Sequence, residues 1–276
     1  MTRPVQPYAP PPSPLQTIDV LRAQIDAVDD ALLDLVIQRT DLARAIARAK
    51  AGADGPPPGI GLRPARETSL LRRLVAASAG RMEPHVITEV WRALMSANLQ
   101  RQGAVRVVIA GDGDVLALWD LARAQFGGAA VIERAPDMRA ALLRAAQQDQ
   151  TIALAPWPAV LGRGAWWTAL AEQPFQDLVI AAALPIGAAT PGAALVARLP
   201  LEPAGDDRTL VLTIDSDHEA GRRLAECGLV VEHIDRVGSL ALAVLLGFCG
   251  DEDPRLARAR ALGLDGLRVV GAFARF

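Results

Sequence analysis

Arg39 and Lys50 lie eleven positions apart in TIDVLRAQIDAVDDALLDLVIQRTDLARAIARAK, the run from Thr17 to Lys50. At about 100° per residue, an α-helix brings them within roughly 20° of each other and about 16 Å apart along its axis. They then share a helix face with Val28, Leu32, Leu35 and Ile46. Two unpaired cations in an apolar seam are strongly disfavoured, so an anionic group is expected to meet them there. The chemistry on offer is electrostatic: two long side chains closing on one small ligand from its two ends. The bland alternative is a pair of snorkelling, solvated side chains, and the apolar stripe counts against it.

Arg22 lies some 25 Å from Arg39 along the same helix and about 100° around it, so it cannot serve the same small ligand within one chain. A homodimer in which Arg22 completes the other chain's pocket is the symmetric explanation. Three more polar groups fall on apolar faces downstream. Glu67 shares a stripe with Leu70, Leu71 and Leu74, while Asn98 and Gln102 extend a face built from Val86, Ile87, Val90, Trp91, Leu94 and Met95. Five inward polar groups of complementary type on three helices suggest a cavity lined with donors.

Three helices must position these groups. The first begins at Thr17, a plausible cap, with Asp19 in the first turn where the helix dipole favours an anion. It keeps its three-and-four spacing to Lys50 and stops at AGADGPPPGIG. The second starts near Pro64 and ends at Gly80; the third starts near Pro84. Residues 1–16 are Pro-rich and expected to be a disordered arm.

With 276 residues, a net charge of -2 and 51% hydrophobic residues, the chain can build two modest cores. Near-neutral charge gives no case for a nucleic-acid partner. Cys227 and Cys249 make no metal spacing or disulfide framework, and the first residues lack a signal-peptide core, so a cytoplasmic location is expected. No apolar run approaches a membrane span. Neither a cofactor nor a metal is expected.

The pattern LRxxIDxxDxxLLxLxxxR, eleven further residues to Lys50, RPxRE from Arg63 to Glu67, and HVIT followed by Asn98 and Gln102 resembles the all-helical chorismate mutases over residues 17–103. The resemblance implies an intertwined homodimer of three-helix chains with two equivalent sites for chorismate and its product prephenate. It implies that Arg22 from the partner chain, Arg39 and Arg66 bind carboxylates and organise the site. Lys50 and Gln102 match the pair that donates to the ether oxygen of the breaking bond, and Glu67 the acid that holds the substrate hydroxyl. Asn98 replaces a small hydroxyl residue, and Arg63 stands where some relatives have Asp; both join the expected substrate-binding set. The implied reaction is an intramolecular rearrangement needing neither nucleophile nor metal, so orientation and preorganised electrostatics are the levers.

From Val105 the texture changes to alternating short strands and helices: strands at VRVVIA, AAVIE, TIALA and LVIAA, helices near 116–126 and from Asp137. GDGD after the first strand lacks a dinucleotide fingerprint. After Asp207 the order strand, helix, strand, strand, helix, strand predicts a βαββαβ ferredoxin-like unit. Its place beside a mutase resembles the regulatory ACT module of bifunctional chorismate mutase–prephenate dehydratases, and 105–200 resembles a shortened dehydratase. The whole reads as multidomain: arm 1–16, all-α mutase domain 17–103, α/β region 105–200 and ACT-like unit 207–276.

Several departures argue against dehydratase chemistry. PWPAV at 156–160 stands in place of a Glu-Asn-Ser motif, LVARLP lacks the Thr of Thr-Arg-Phe, and the stretch from Leu184 to Arg198 is too short for a second lobe. HIDRVG replaces the effector-binding Glu-Ser-Arg-Pro, and His218 and His233 are expected at the surface or the core edge rather than as an acid–base pair. A monofunctional mutase leads. The alternatives are a bifunctional mutase/dehydratase, a non-catalytic mutase-like regulator, and an isochorismate pyruvate lyase, which shares the helical fold.

Overall fold

The computed structural model describes residues 17–51, 60–103, 105–110, 115–159, 162–188 and 190–275, apart from the side chains of Lys50, Ala51, Gln102 and Arg163. The Pro-rich arm, most of the Gly/Pro loop and GDGD lie outside the described residues. The chain divides into two compact units, Met1–Pro56 and Pro57–Phe276.

The first unit holds one long helix, α1 (Ile18–Ala51), with Asp19 in its first turn. At 34 residues it extends roughly 50 Å. Its apolar residues stay exposed, Ile25 at 60%, Leu32 at 53% and Leu42 at 61%. A single helix has no second element of its own unit on which to bury a stripe, so periodicity here marks a face and not a core.

The second unit opens with α2 (Pro64–Ser78) and α3 (Pro84–Gln102), each with Pro in its first turn, where the missing N–H costs nothing. α2 ends as Ala79 and Gly80 both turn left-handed, at φ 50 and 74. On α3 the buried line runs Ile87, Arg92, Ser96 and Leu99, whereas Val86 and Val90 are exposed. The inward face is therefore rotated from the one expected from Val86, Val90 and Asn98. The reason is α4 (Val115–Phe126), which packs on α3 through the small Ser96.

The strands that follow are β1 (Arg106–Ala110), β2 (Val131–Ala135) and β3 (Thr151–Pro156), parallel in the order β2-β1-β3. α4 and α5 (Met138–Gln147) make the crossovers, α5 starting where the Asp137 side chain accepts the Ala140 N–H. Beyond β3, β4 (Val179–Leu184) and β5 (Ala193–Ala197) form an antiparallel pair, and β5 lies against β3. The expected pattern lacked β5 and a 3-10 segment at Gly162–Ala171 that inserts Trp166 and Trp167 beside β3. Both indoles are anchored, Trp166 Nε1 donating to the Pro156 carbonyl at 2.8 Å and Trp167 Nε1 to that of Ala159 at 2.9 Å.

The last strands, β6 (Asp207–Ile214), β7 (Val231–Val237), β8 (Leu240–Leu246) and β9 (Arg268–Ala274), enclose α6 (Ala220–Glu226) and α7 (Pro254–Ala261). Their order, β9-β6-β8-β7, is antiparallel throughout and ferredoxin-like, in keeping with the expected βαββαβ unit. α6 begins at Ala220, since His218 sits left-handed at φ 60 and the buried Asp215 accepts the Ala220 N–H at 2.8 Å.

The nine strands among the described residues belong to one sheet, in the order β2-β1-β3-β5-β4-β9-β6-β8-β7. β4 joins β9 in parallel at Ile180 and Gly271. A Cβ on Gly271 would fall 2.6 Å from the Ile180 carbonyl oxygen, so the seam requires glycine. Alternate residues feed two cores in the first half of the sheet. Val108, Ala153 and Val196 meet Leu142, Trp167 and Leu170, whereas Val107, Ile109, Ile152 and Leu195 meet Leu118 and Phe126 of α4. A third core under α6 and α7 gathers Val211, Leu224, Leu245 and Leu256.

Candidate functional site

The expected site residues fall into two sets. Arg22 on α1 is exposed and pairs loosely with Asp19 at 3.5 Å, while Arg39, eleven residues before Lys50, is half-buried. Lys50 closes the set on α1, but its side chain lies outside the described residues, as does that of Gln102 at the end of α3.

The second set rests on α2 and α3. α2 is stitched to the loop before β6 and to the end of β9. Arg63 forms a two-point ion pair with Glu202, 2.6 Å at its shorter contact, Ser69 donates to the Ala204 carbonyl at 3.2 Å, and Arg72 donates to that of Arg275 at 2.7 Å. Arg63, expected to face substrate, is thus engaged within its own unit. Arg66 is exposed and Asn98 half-buried.

Glu67 occupies the most unusual environment of the set. Although the residue as a whole is only half-buried, its carboxyl is enclosed, and this desolvation pushes its pKa up to about 7. The Arg92 guanidinium and a hydrogen bond donated by Gln125 Nε2, at 3.3 Å, oppose that rise. Arg92 is 7% exposed, and burial lowers its pKa against the pull of Glu67 and Glu89. Its Nε and Nη2 find no hydrogen-bond partner among the described residues, nor does Oε1 of the buried Gln125. A carboxyl, a guanidinium and an amide from three helices therefore converge, only partly satisfied. Such a group can switch protonation near neutrality and orient a hydroxyl or a carboxylate.

Arg92 and Gln125 were missed by sequence reasoning. An Arg in WRALMS and a Gln in LARAQF both read as solvated helix positions. What buries them is the docking of α4. It ends at Phe126, whose carbonyl accepts a short hydrogen bond from Ser96, and Gly127 follows at φ 78. A Cβ at Gly127 would stand 3.0 Å from Ser96 Oγ, so glycine permits both the left-handed stop and the close approach.

Residues 21–103 match the family model described as chorismate mutase type II, in agreement with the N-terminal resemblance read from the motifs. A curated relative, the bifunctional chorismate mutase/prephenate dehydratase of Stutzerimonas stutzeri, is 27% identical over 95 residues, which are 34% of this chain and 26% of that one. The chain thus spans about a quarter of the length of the curated relative it matches. Among solved structures, a prephenate dehydratase from Streptococcus mutans is 13% identical, with a TM-score of 0.45 over 62% of this chain and all of that one. The prephenate dehydratase of Arthrobacter aurescens, in complex with L-Phe, is 17% identical at the same TM-score, over 62% of this chain and 90% of that one. No helix among the described residues is long and apolar enough to cross a membrane.

Proposed function

We propose that the chain is a chorismate mutase, converting chorismate to prephenate within aromatic amino acid biosynthesis. The observation that carries this reading is the family match over residues 21–103, the segment in which the motifs read from the sequence put Arg22, Arg39, Lys50, Arg66, Glu67 and Gln102. In this reading Arg39 and Arg66, with Arg22 of a second copy, hold the two carboxylates in the compact reactive conformer. Lys50 and Gln102 donate to the ether oxygen as the C–O bond breaks and negative charge gathers there. Glu67 holds the ring hydroxyl, Asn98 lines the site, and Arg63 assists through its place at the start of α2. Fixed donors aimed at developing charge are worth most where water is excluded.

The homodimer belongs to the same proposal. An exposed apolar stripe running the length of α1, Ile18 at 66% and Ile46 at 54% included, is more than a soluble monomer ordinarily leaves uncovered, and a second copy supplies a matching face. The proposed domains are 17–103 for the mutase, 105–200 for a dehydratase-like region without dehydratase activity, and 207–276 for an ACT-like unit; the proposed location is the cytoplasm.

Loss of chorismate, followed by its ultraviolet absorbance with and without aromatic amino acids, tests the proposal: steady consumption is expected, and none would refute it. Phenylpyruvate formation from prephenate tests the bifunctional alternative. A negative result is expected, since PWPAV and LVARLP stand where the dehydratase motifs would be.

A further inference from the structure

Gln125 lies outside the segment that matches the mutase family, yet its side chain is 4% exposed and points at the Glu67 carboxylate. A buried glutamine whose Oε1 finds no partner among the described residues is a poor choice for packing alone. An apolar residue of equal size would fill the space without an unsatisfied acceptor. The same holds for Arg92, two of whose nitrogens find no partner among the described residues and whose charge acts on the same carboxylate. The Ser96 bond to the Phe126 carbonyl and the tight Gly127 turn fix the end of α4 against α3, one residue from Gln125.

We propose that Gln125 is a positioning residue for Glu67, so that the first helix of the α/β region completes the mutase site and Arg92 supplies the balancing buried charge. This inference rests on the mutase reading. Its Nε2–H donates to the carboxylate oxygen and so favours the ionised acceptor, turned to receive the substrate hydroxyl. The charges acting on Glu67 are Arg92 of α3 and, through it, Glu89; α4 contributes the neutral Gln125. The C-terminal half is then part of the catalytic apparatus and not only an appendage.

The test compares the full-length wild type with Gln125→Met, which keeps the volume and removes the donor. The readouts are the pH dependence of kcat/KM for chorismate, kcat and KM separately, and thermal unfolding. The acid limb is expected to move upward by about half to one pH unit, the worth of one hydrogen bond. At pH 6, kcat/KM is expected to fall roughly three- to tenfold, converging on the wild type at pH 9. Should Gln125→Met fail to fold, Gln125→Glu, isosteric with the native residue, carries the test; a second carboxyl beside Glu67 moves the limb further up. A folded variant whose profile superimposes on that of the wild type overturns the inference. A wild type that consumes no chorismate instead sinks the reading beneath it.

Discussion

Gln125 donates to Glu67 across 3.3 Å, joining a helix of the α/β region to a residue of the proposed mutase site. Because the carboxyl is enclosed with a cation on one side and an amide on another, its protonation is coupled to folding and to whatever it holds.

That coupling predicts a pH-dependent stability. The Glu67 pKa rises from 4.5 to about 7, so the folded chain holds this proton more tightly than the unfolded one. Its contribution is fully present below about 4.5 and is lost as pH climbs towards 7, a change of about 3 kcal/mol at most. Glu67→Gln removes the titration. The unfolding midpoint of the variant relative to wild type should therefore increase between pH 5 and pH 8, and a difference that stays flat would show the carboxyl to be solvated.

Lys50→Ala should lower turnover of chorismate by a factor of hundreds or more while the protein stays folded, as removal of one donor from a developing anion typically does. Steady-state kinetics beside circular dichroism would decide it, and near-native turnover in the variant would remove Lys50 from its assigned role.

Leu32 sits mid-helix on α1 with 53% of its surface exposed. If a second copy covers that stripe, Leu32→Asp puts a charge into the interface and should shift the sedimenting species from dimer to monomer. Identical sedimentation of variant and wild type would argue that the stripe is covered in some other way.

The seam at Gly271 makes a separate prediction. A side chain there meets the Ile180 carbonyl at 2.6 Å and its Cβ at 2.7 Å, so Gly271→Val must push the strands apart. Overpacking of this kind costs about 1–3 kcal/mol, a fall of roughly 2–12 °C in Tm. Differential scanning calorimetry gives the answer directly.

Much of this architecture can be read from spacing alone. Pro64 and Pro84 mark two helix starts, Asp137 caps a third, and alternating or continuous apolar runs foretell eight of the nine strands among the described residues. β5 escaped because AALVA overlaps LVARLP, which is read for its departure from a Thr-Arg-Phe motif and not for its apolar run. Arg92 escaped for a different reason. Nothing local tells a buried arginine from a solvated one, and its burial depends on an α4 contact through Ser96, thirty residues from Phe126. The glycine in RVVGAFA was a usable signal, since an isolated glycine in a strand often marks a close backbone approach. What it approached could be known only once β4 and β9 were seen side by side.

Gly271 pairs with Leu210 on one side and Ile180 on the other, so the sheet continues from β4 through β9 into the terminal antiparallel strands, with a bulge beside Leu210. A β9 anchored on both flanks cannot swing as a tethered module. Any molecule captured by the terminal βαββαβ fold would have to make itself felt by tightening or loosening a shared ladder. In amide exchange, β4 and β6 should accordingly lose protection together, as one cooperative block.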